Sequence, residues 1–422
     1  MKIFALVLFL ITYILMITLP KKRVYVALCA AVVFIIAGIV PLSRVPEAIS
    51  WNVLMMIAGT MVTVGLFIDS KMPVRIADGL LHRSKNVMWV VIYMSMFAGI
   101  ISAFVDNVAT VLMVAPVGIA VAKKLKISPV PMLICISVSS NLQGAATLVG
   151  DTTSIMLGAY AKMDFTSFFF MNGRPSIFFA VELGALATIP VIMYLFRNEK
   201  EPVDSDSKKE VKDYGPTIFL LLTVASLIAA SFIKNKPELT NGVICIGYAA
   251  IAVVYSIIRH HSFGPSKRAI KEVDLATLGL LMGLFVVIDG LSEAGIIDSI
   301  SRLFVKVAGN NTFMMYSIIV WGSVLLSAFI DNIPYVATML PVVTMVSRSM
   351  GIEPYLLYFG LLSGATLGGN ITPIGASANI TTLGILHKAG YDVKTKDFMK
   401  ISVPLTMVAI IVGYLFCWFV WS

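Results

Sequence analysis

Charge is what this sequence has least of. Of its 422 residues 13% are Asp, Glu, Lys or Arg, 58% are hydrophobic, and the mean hydropathy is +0.92. That balance excludes a water-soluble globule, because hydrocarbon must be the chain's main solvent. The reading is a multi-pass protein of the cell membrane. Cysteine is nearly as scarce: Cys29, Cys135, Cys245 and Cys417 stand singly in apolar stretches. Without CxxC or Cys/His spacing they form neither a disulfide frame nor a zinc site, and they read as small buried hydrophobes. The four histidines, His82, His260, His261 and His387, fall in or beside expected cytoplasmic loops. No metal ligand is assigned and no cofactor is expected beyond a coupling ion, Na+ or H+. A Walker motif is also lacking, so coupling to ATP would need a separate ATPase subunit. The run MKIFALVLFLITYILMITLPKKR has no small-residue cleavage signal and its cations follow the apolar stretch, so a retained first span is expected.

The charge that is present is unevenly placed. Apolar runs of bilayer-crossing length, about 17 to 25 residues, occur near 3–19, 24–42, 51–68, 176–196, 215–233, 242–258, 274–291 and 401–421, with longer broken segments at 129–160 and 354–387. If 88–122 and 312–347 are re-entrant hairpins, ten crossings remain. Loops on one side then hold 23 of the 32 Lys and Arg residues. This asymmetry places that side in the cytoplasm and makes the net charge of +9 a mark of topology, not of nucleic-acid binding.

Repetition is the strongest signal. SAFVDNVATVLMVAPV at 102–117 returns as SAFIDNIPYVATMLPV at 327–342. A shift of 225 maps Ser102, Ala103, Phe104, Asp106, Asn107, Val111, Pro116, Pro129, Gly144, Thr147 and Gly150 onto the same residue types without a gap. Two repeats follow, 1–196 and 215–422, joined by a charged cytoplasmic linker at 197–214. Five crossings in each force the second copy upside down, the arrangement of secondary transporters. The mixed stretches after the third span of each half are expected to lie as helices at the membrane interface.

The carboxylates need a reason. A charged side chain at mid-membrane costs about 2.5 to 3.5 kcal/mol. Helix capping returns about 1 kcal/mol and could be done uncharged. Asp106 and Asp331 therefore read as holders of a proton or a cation, possible Na+ sites, at the tips of the hairpins. Asn107 and Asn332 stand beside them. The following segments, SSNLQGAATLVGDTTSIM and SGATLGGNITPIGASANI, are too rich in Gly, Thr, Asn and Ser for continuous lipid-facing helices and suit half-helices around a polar loop. They supply the remaining candidate binding residues: Asn141, Thr147, Gly150, Asp151, Thr152 and Ser154 in the first, Thr372, Gly375, Ser377 and Asn379 in the second. Asp151 has the alternative role of a helix cap. Glu182 is either a proton carrier or a carboxylate held by a neighbouring hydroxyl.

The SAFxDN hairpin followed by NLQGAATLVGDTTS resembles the ion transporter superfamily. That group includes arsenite permeases, NhaD-type sodium/proton antiporters, the P protein, citrate transporter-like permeases and the divalent anion/sodium symporters. The resemblance implies an all-α elevator-type transporter, working as a homodimer among membrane lipids. It implies scaffold spans in 1–68 and 215–291 and moving transport units in 88–196 and 312–422. Carboxylate symporters carry Ser-Asn-Thr at the hairpin tip, whereas Asp-Asn is similar to the antiporter, P-protein and metalloid-efflux branches. An added negative charge also repels a dicarboxylate. The expected function is secondary active transport of a small inorganic ion or solute, either arsenite/antimonite efflux or Na+/H+ antiport. A Na+-coupled di- or tricarboxylate transporter is the alternative. An intramembrane aspartyl protease is a distant one, since Leu148-Val149-Gly150-Asp151 departs from its GxGD loop.

Overall fold

A computed structural model describes residues 1–124, 127–199, 201, 211 and 213–422. The rest of the linker, and two residues of the basic loop at 123–126, lie outside the described residues. The first half comprises helices α1 (Lys2–Thr18), α2 (Arg23–Ile36), α3 (Val45–Ala48), α4 (Trp51–Asp69), α5 (Met72–Arg83), α6 (Val87–Ser102), α7 (Asn107–Lys124), α8 (Val130–Gly144), α9 (Thr152–Tyr160) and α10 (Ile177–Leu195). The second comprises α11 (Gly215–Ala230), α12 (Thr240–His260), α13 (Gly264–Lys271), α14 (Leu275–Glu293), α15 (Ile296–Ala308), α16 (Thr312–Ser327), α17 (Asn332–Met350), α18 (Tyr355–Gly368), α19 (Ser377–Lys388) and α20 (Thr395–Trp421).

Helices α6 to α9 and α16 to α19 begin 225 residues apart in every case, so the sequence repeat is a repeat of elements. The local causes repeat as well. Asn86 accepts the Trp89 N–H at 3.2 Å and starts α6; Asn311 accepts the Met314 N–H at 3.0 Å and starts α16. Asp106 and Asp331 cap α7 and α17, taking the N–H groups of Val108 (2.9 Å) and Ile333 (3.1 Å). The two polar segments break as their composition requires, α8 from α9 at 145–151 and α18 from α19 at 369–376.

Among the described residues six helices are long and apolar enough to cross a bilayer, and two pairs bent by 114° and 118° raise the number to eight. The ten crossings expected from hydropathy are thus not all continuous. The run 24–42 gives a helix of 14 residues, about 21 Å long at 1.5 Å per residue. It stops because the chain passes through Gly38 at a φ of +70°, in the left-handed region that favours glycine. Helix α15, one of the two expected interfacial segments, turns 118° into α16 after Gly309.

The halves interlock. Helix α4 of the first half packs along α12 of the second, and α14 of the second along α2 of the first. Both crossings are close because a glycine sits at each. A methyl on Gly59 would lie 2.4 Å from the Cys245 carbonyl carbon, and one on Gly283 would lie 2.7 Å from that of Ala27. Each hairpin's first arm packs on the first limb of the broken segment that follows it, α6 on α8 and α16 on α18. Exposed Ile3, Phe4, Val7, Leu10 and Ile14 line the outer face of α1, the surface that hydrocarbon must wet.

Candidate substrate and ion site

The site is assembled by fastening each hairpin tip to the break that follows. The Thr147 hydroxyl donates to the Ala103 carbonyl, and the Thr372 hydroxyl donates to the Ala328 carbonyl. Gly150 and Gly375 then pass against the same tips. A Cβ on Gly150 would stand 2.5, 2.7 and 2.8 Å from the carbonyl oxygens of Gly144, Ser102 and Ala103. On Gly375 it would stand 2.6, 2.8 and 2.8 Å from those of Gly369, Ala328 and Ser327. These neighbours are backbone and cannot swing away. Replacing either glycine by alanine is therefore expected to cut the yield of monodisperse protein severalfold, read by size-exclusion chromatography in detergent. Wild-type yield and elution from both variants would refute the fastening.

From the first tip a buried amide chain runs to the second broken segment. Asn107 Nδ2 donates to Asn141 Oδ1 at 2.7 Å, and Asn141 Nδ2 donates to Asn370 Oδ1 at 2.7 Å and Asn379 Oδ1 at 3.2 Å. Asn379 Oδ1 also accepts the Ser137 hydroxyl at 2.7 Å, while its Nδ2 holds the carbonyls of Gly369 and Thr372 at 3.0 and 3.1 Å. Each amide is partnered on both sides, which locks the two broken segments into one body.

The carboxylates are held unequally. Asp331 Oδ2 lies 2.5 Å from Arg23 Nη1 of α2 and accepts the Ser377 hydroxyl at 3.2 Å, so a guanidinium already neutralises it. Asp106 takes only the N–H groups of Val108 and Ala109, with no cation paired to it among the described residues. The two carboxylates expected to hold a proton or Na+ thus stand in unlike surroundings: Arg23 supplies a counter-charge at Asp331, and Asp106 has none among the described residues. Asp151 accepts the Thr153 hydroxyl at 2.9 Å and the Asn332 amide at 3.5 Å.

Asp106 and Asp151 face a cavity of about 450 Å³. Its floor is Asn107, Asn332 and Asp151, each about 95% buried, and its mouth holds the exposed Glu272 and Asp274 ahead of α14. Four carboxylates therefore line it, and no Lys, Arg or His does so among the described residues.

A family described as citrate transporter matches residues 13–344 and 232–422. The chain belongs to the citrate transporter family. Among relatives of this transporter, an uncharacterized transporter of Mycobacterium bovis is 28% identical over 99% of the chain and 98% of its own length. The 46 kDa membrane protein of Mycobacterium leprae is likewise 28% identical over 99% and 98%. The P protein of Homo sapiens is 24% identical over 88% of the chain and 54% of its own length. Two solved transporters share the fold. The YdaH transporter of Alcanivorax borkumensis has a TM-score of 0.63 at 12% identity, covering 89% of this chain and 86% of its own. MtrF of Neisseria gonorrhoeae has a TM-score of 0.56 at 16% identity, covering 95% and 85%.

Within this family member, seven of the residues singled out from sequence line the cavity: Asp106, Asn107, Gly150, Asp151, Thr152, Asn332 and Ser377. Asn141, Thr147, Ser154, Thr372, Gly375 and Asn379 lie behind that lining, in the fastenings and the amide chain, with the Ser154 hydroxyl on the Gly144 carbonyl at 3.4 Å. Glu182, on α10, does not reach the cavity. Sequence reasoning missed Arg23, Asn370, Glu272 and Asp274. Arg23 and Asp274 sit at helix starts, where a charge reads as topology or as a cap. Asp274 is such a cap, taking the N–H groups of Ala276 and Thr277 at 3.0 and 3.1 Å.

Proposed function

We propose that this transporter exchanges a small cation, Na+ in the first instance, against protons, with the cargo held at Asp106 and Asp151. The carrying observation is the sign of the cavity, four carboxylates with no basic residue among the described lining. At an effective dielectric of about 20, two like charges about 5 Å apart repel by about 3 kcal/mol. A free di- or tricarboxylate would meet that repulsion at the mouth and again at the floor. A cation gains the same interaction, and a proton can replace it on the same carboxylates. Citrate could enter only after a bound metal had cancelled its charge. Neutral arsenite, which needs hydroxyl and amide partners and no counter-charge, leaves the carboxylates without a role.

The architecture suits alternating access. The repeated helices are read as inverted copies, with the hairpins and broken segments as a moving unit within a homodimeric elevator. The fastened tips and amide chain favour motion of that unit as one body. Purified protein in liposomes with an imposed pH gradient tests the reading. Offered Na+, Li+, arsenite, succinate, and citrate with and without Mg2+ in turn, it should move protons with Na+ or Li+. Sodium-driven succinate uptake with no cation-dependent proton movement would overturn it.

A further inference from the structure

A second cavity of about 380 Å³ lies between α4, α9, α14 and α17. It is the repeat-related counterpart of the first. Where the first is lined by Met61, Val64, Gly65 and Ile68 of α4, the second is lined 224 residues on by Phe285, Ile288, Asp289 and Ser292 of α14. The two lie at opposite ends of the same helices. The first takes the later part of α4 and the start of α14, and the second takes Ser50 and Val53 at the start of α4 and the later part of α14. From Thr277 to Ser292 the axis of α14 advances about 22 Å, most of a hydrocarbon core of about 30 Å. Two helices run from one cavity to the other. On α9, Ile155 faces the first and Met156 the second, and on α17 the lining passes from Ile333 to Ala337, about one turn.

We infer that the second cavity is the vestibule on the membrane face opposite the first, with Asp289 fixing the sign of what enters. The inference rests on the cation reading above for the nature of the cargo. Where the linings of the two cavities meet, on α9 and α17, the side chains are apolar: Ile155, Met156 and Val336 are at least 97% buried. Asp289 lines the vestibule with one carboxylate oxygen buried and without a hydrogen-bond partner among the described residues. Its other oxygen lies 3.6 Å from Arg44 Nη2, and that guanidinium bonds through Nη1 to Glu293. One cation shared between two carboxylates leaves the mouth negative, so it attracts cations and repels anions. The vestibule also carries the hydroxyl residues Ser50, Tyr160 and Ser292. Seen from either face, the carrier thus presents a carboxylate at the end of a cavity, Asp106 at one and Asp289 at the other.

Single cysteines at Leu112→Cys in the first cavity and Ser292→Cys in the second, in a background free of the four native cysteines, test this in sealed vesicles. Impermeant thiol reagents should label the two from opposite faces. At low ionic strength a cationic reagent should outpace an anionic one of similar size at position 292 by about tenfold, a preference that Asp289→Asn should reduce severalfold while labelling still proceeds. Labelling of both positions from one face overturns the vestibule, and an unchanged reagent preference in Asp289→Asn overturns the role of Asp289. These readouts do not depend on transport. Failure of Na+ exchange with labelling as expected would remove the cargo reading alone.

Discussion

Replacing Asp106 by asparagine is expected to abolish concentrative transport while leaving a folded, membrane-inserted protein. Asparagine keeps the side-chain oxygen that accepts the N–H groups of Val108 and Ala109, so the cap on α7 survives. What it loses is the one hairpin-tip charge that faces the cavity without a paired cation among the described residues. A loss of at least about 100-fold in Na+-dependent proton movement, near 3 kcal/mol at about 1.36 kcal/mol per tenfold, is the scale on which a coupling group is distinguished from a neighbour. The thermal midpoint in detergent should hold or rise, because burying a carboxylate costs solvation energy that the amide avoids. Proteoliposomes matched for protein content, with a pH gradient imposed before Na+ is added, give the comparison. Wild-type exchange with unchanged Na+ and pH dependence would make Asp106 a cap and nothing more.

The repeat is why so much could be read without coordinates. A gapless shift of 225 aligned the hairpin tips and the breaks, and every helix start from α6 to α9 recurs at that spacing. Gly150 and Gly375 stood out as a matched pair, and they meet matched carbonyls. Where the halves diverge the sequence was less informative. Asn370 has alanine, Ala145, as its counterpart, so no pairing drew attention to it, although it is a link in the amide chain. Arg23 belongs to a KKR triplet that fits the cation count of a cytoplasmic loop. Nothing local says that the third member points at a carboxylate 308 positions away. Hydropathy also overstated α2, since an apolar run does not register that Gly38 turns the chain out of the helix.

That long-range contact makes the two aspartates experimentally separable. Arg23→Gln is expected to lower both stability and transport, and adding Asp331→Asn to it is expected to restore much of the stability. Arg23 and Asp331 are 25% and 15% exposed, and their pair joins α2 of one half to the cap of α17 in the other. Breaking a buried pair by removing one partner costs about 3–5 kcal/mol because the other charge is stranded. Partial exposure of the guanidinium should bring this to about 2 kcal/mol. The double variant strands no charge, and asparagine still accepts the Ile333 N–H, so the cycle should give a coupling of similar size. Thermal midpoints of the wild type, both singles and the double in one detergent measure it. Additivity within about 0.5 kcal/mol would mean that the pair contributes nothing as a unit. Transport in the double variant then decides what Asp331 is for. If exchange recovers with stability, the guanidinium and carboxylate serve as a strut and coupling rests on Asp106. If the double variant is folded but inactive, Asp331 must exchange Arg23 for the cargo during the cycle, with Arg23 as a tethered cation that the substrate displaces.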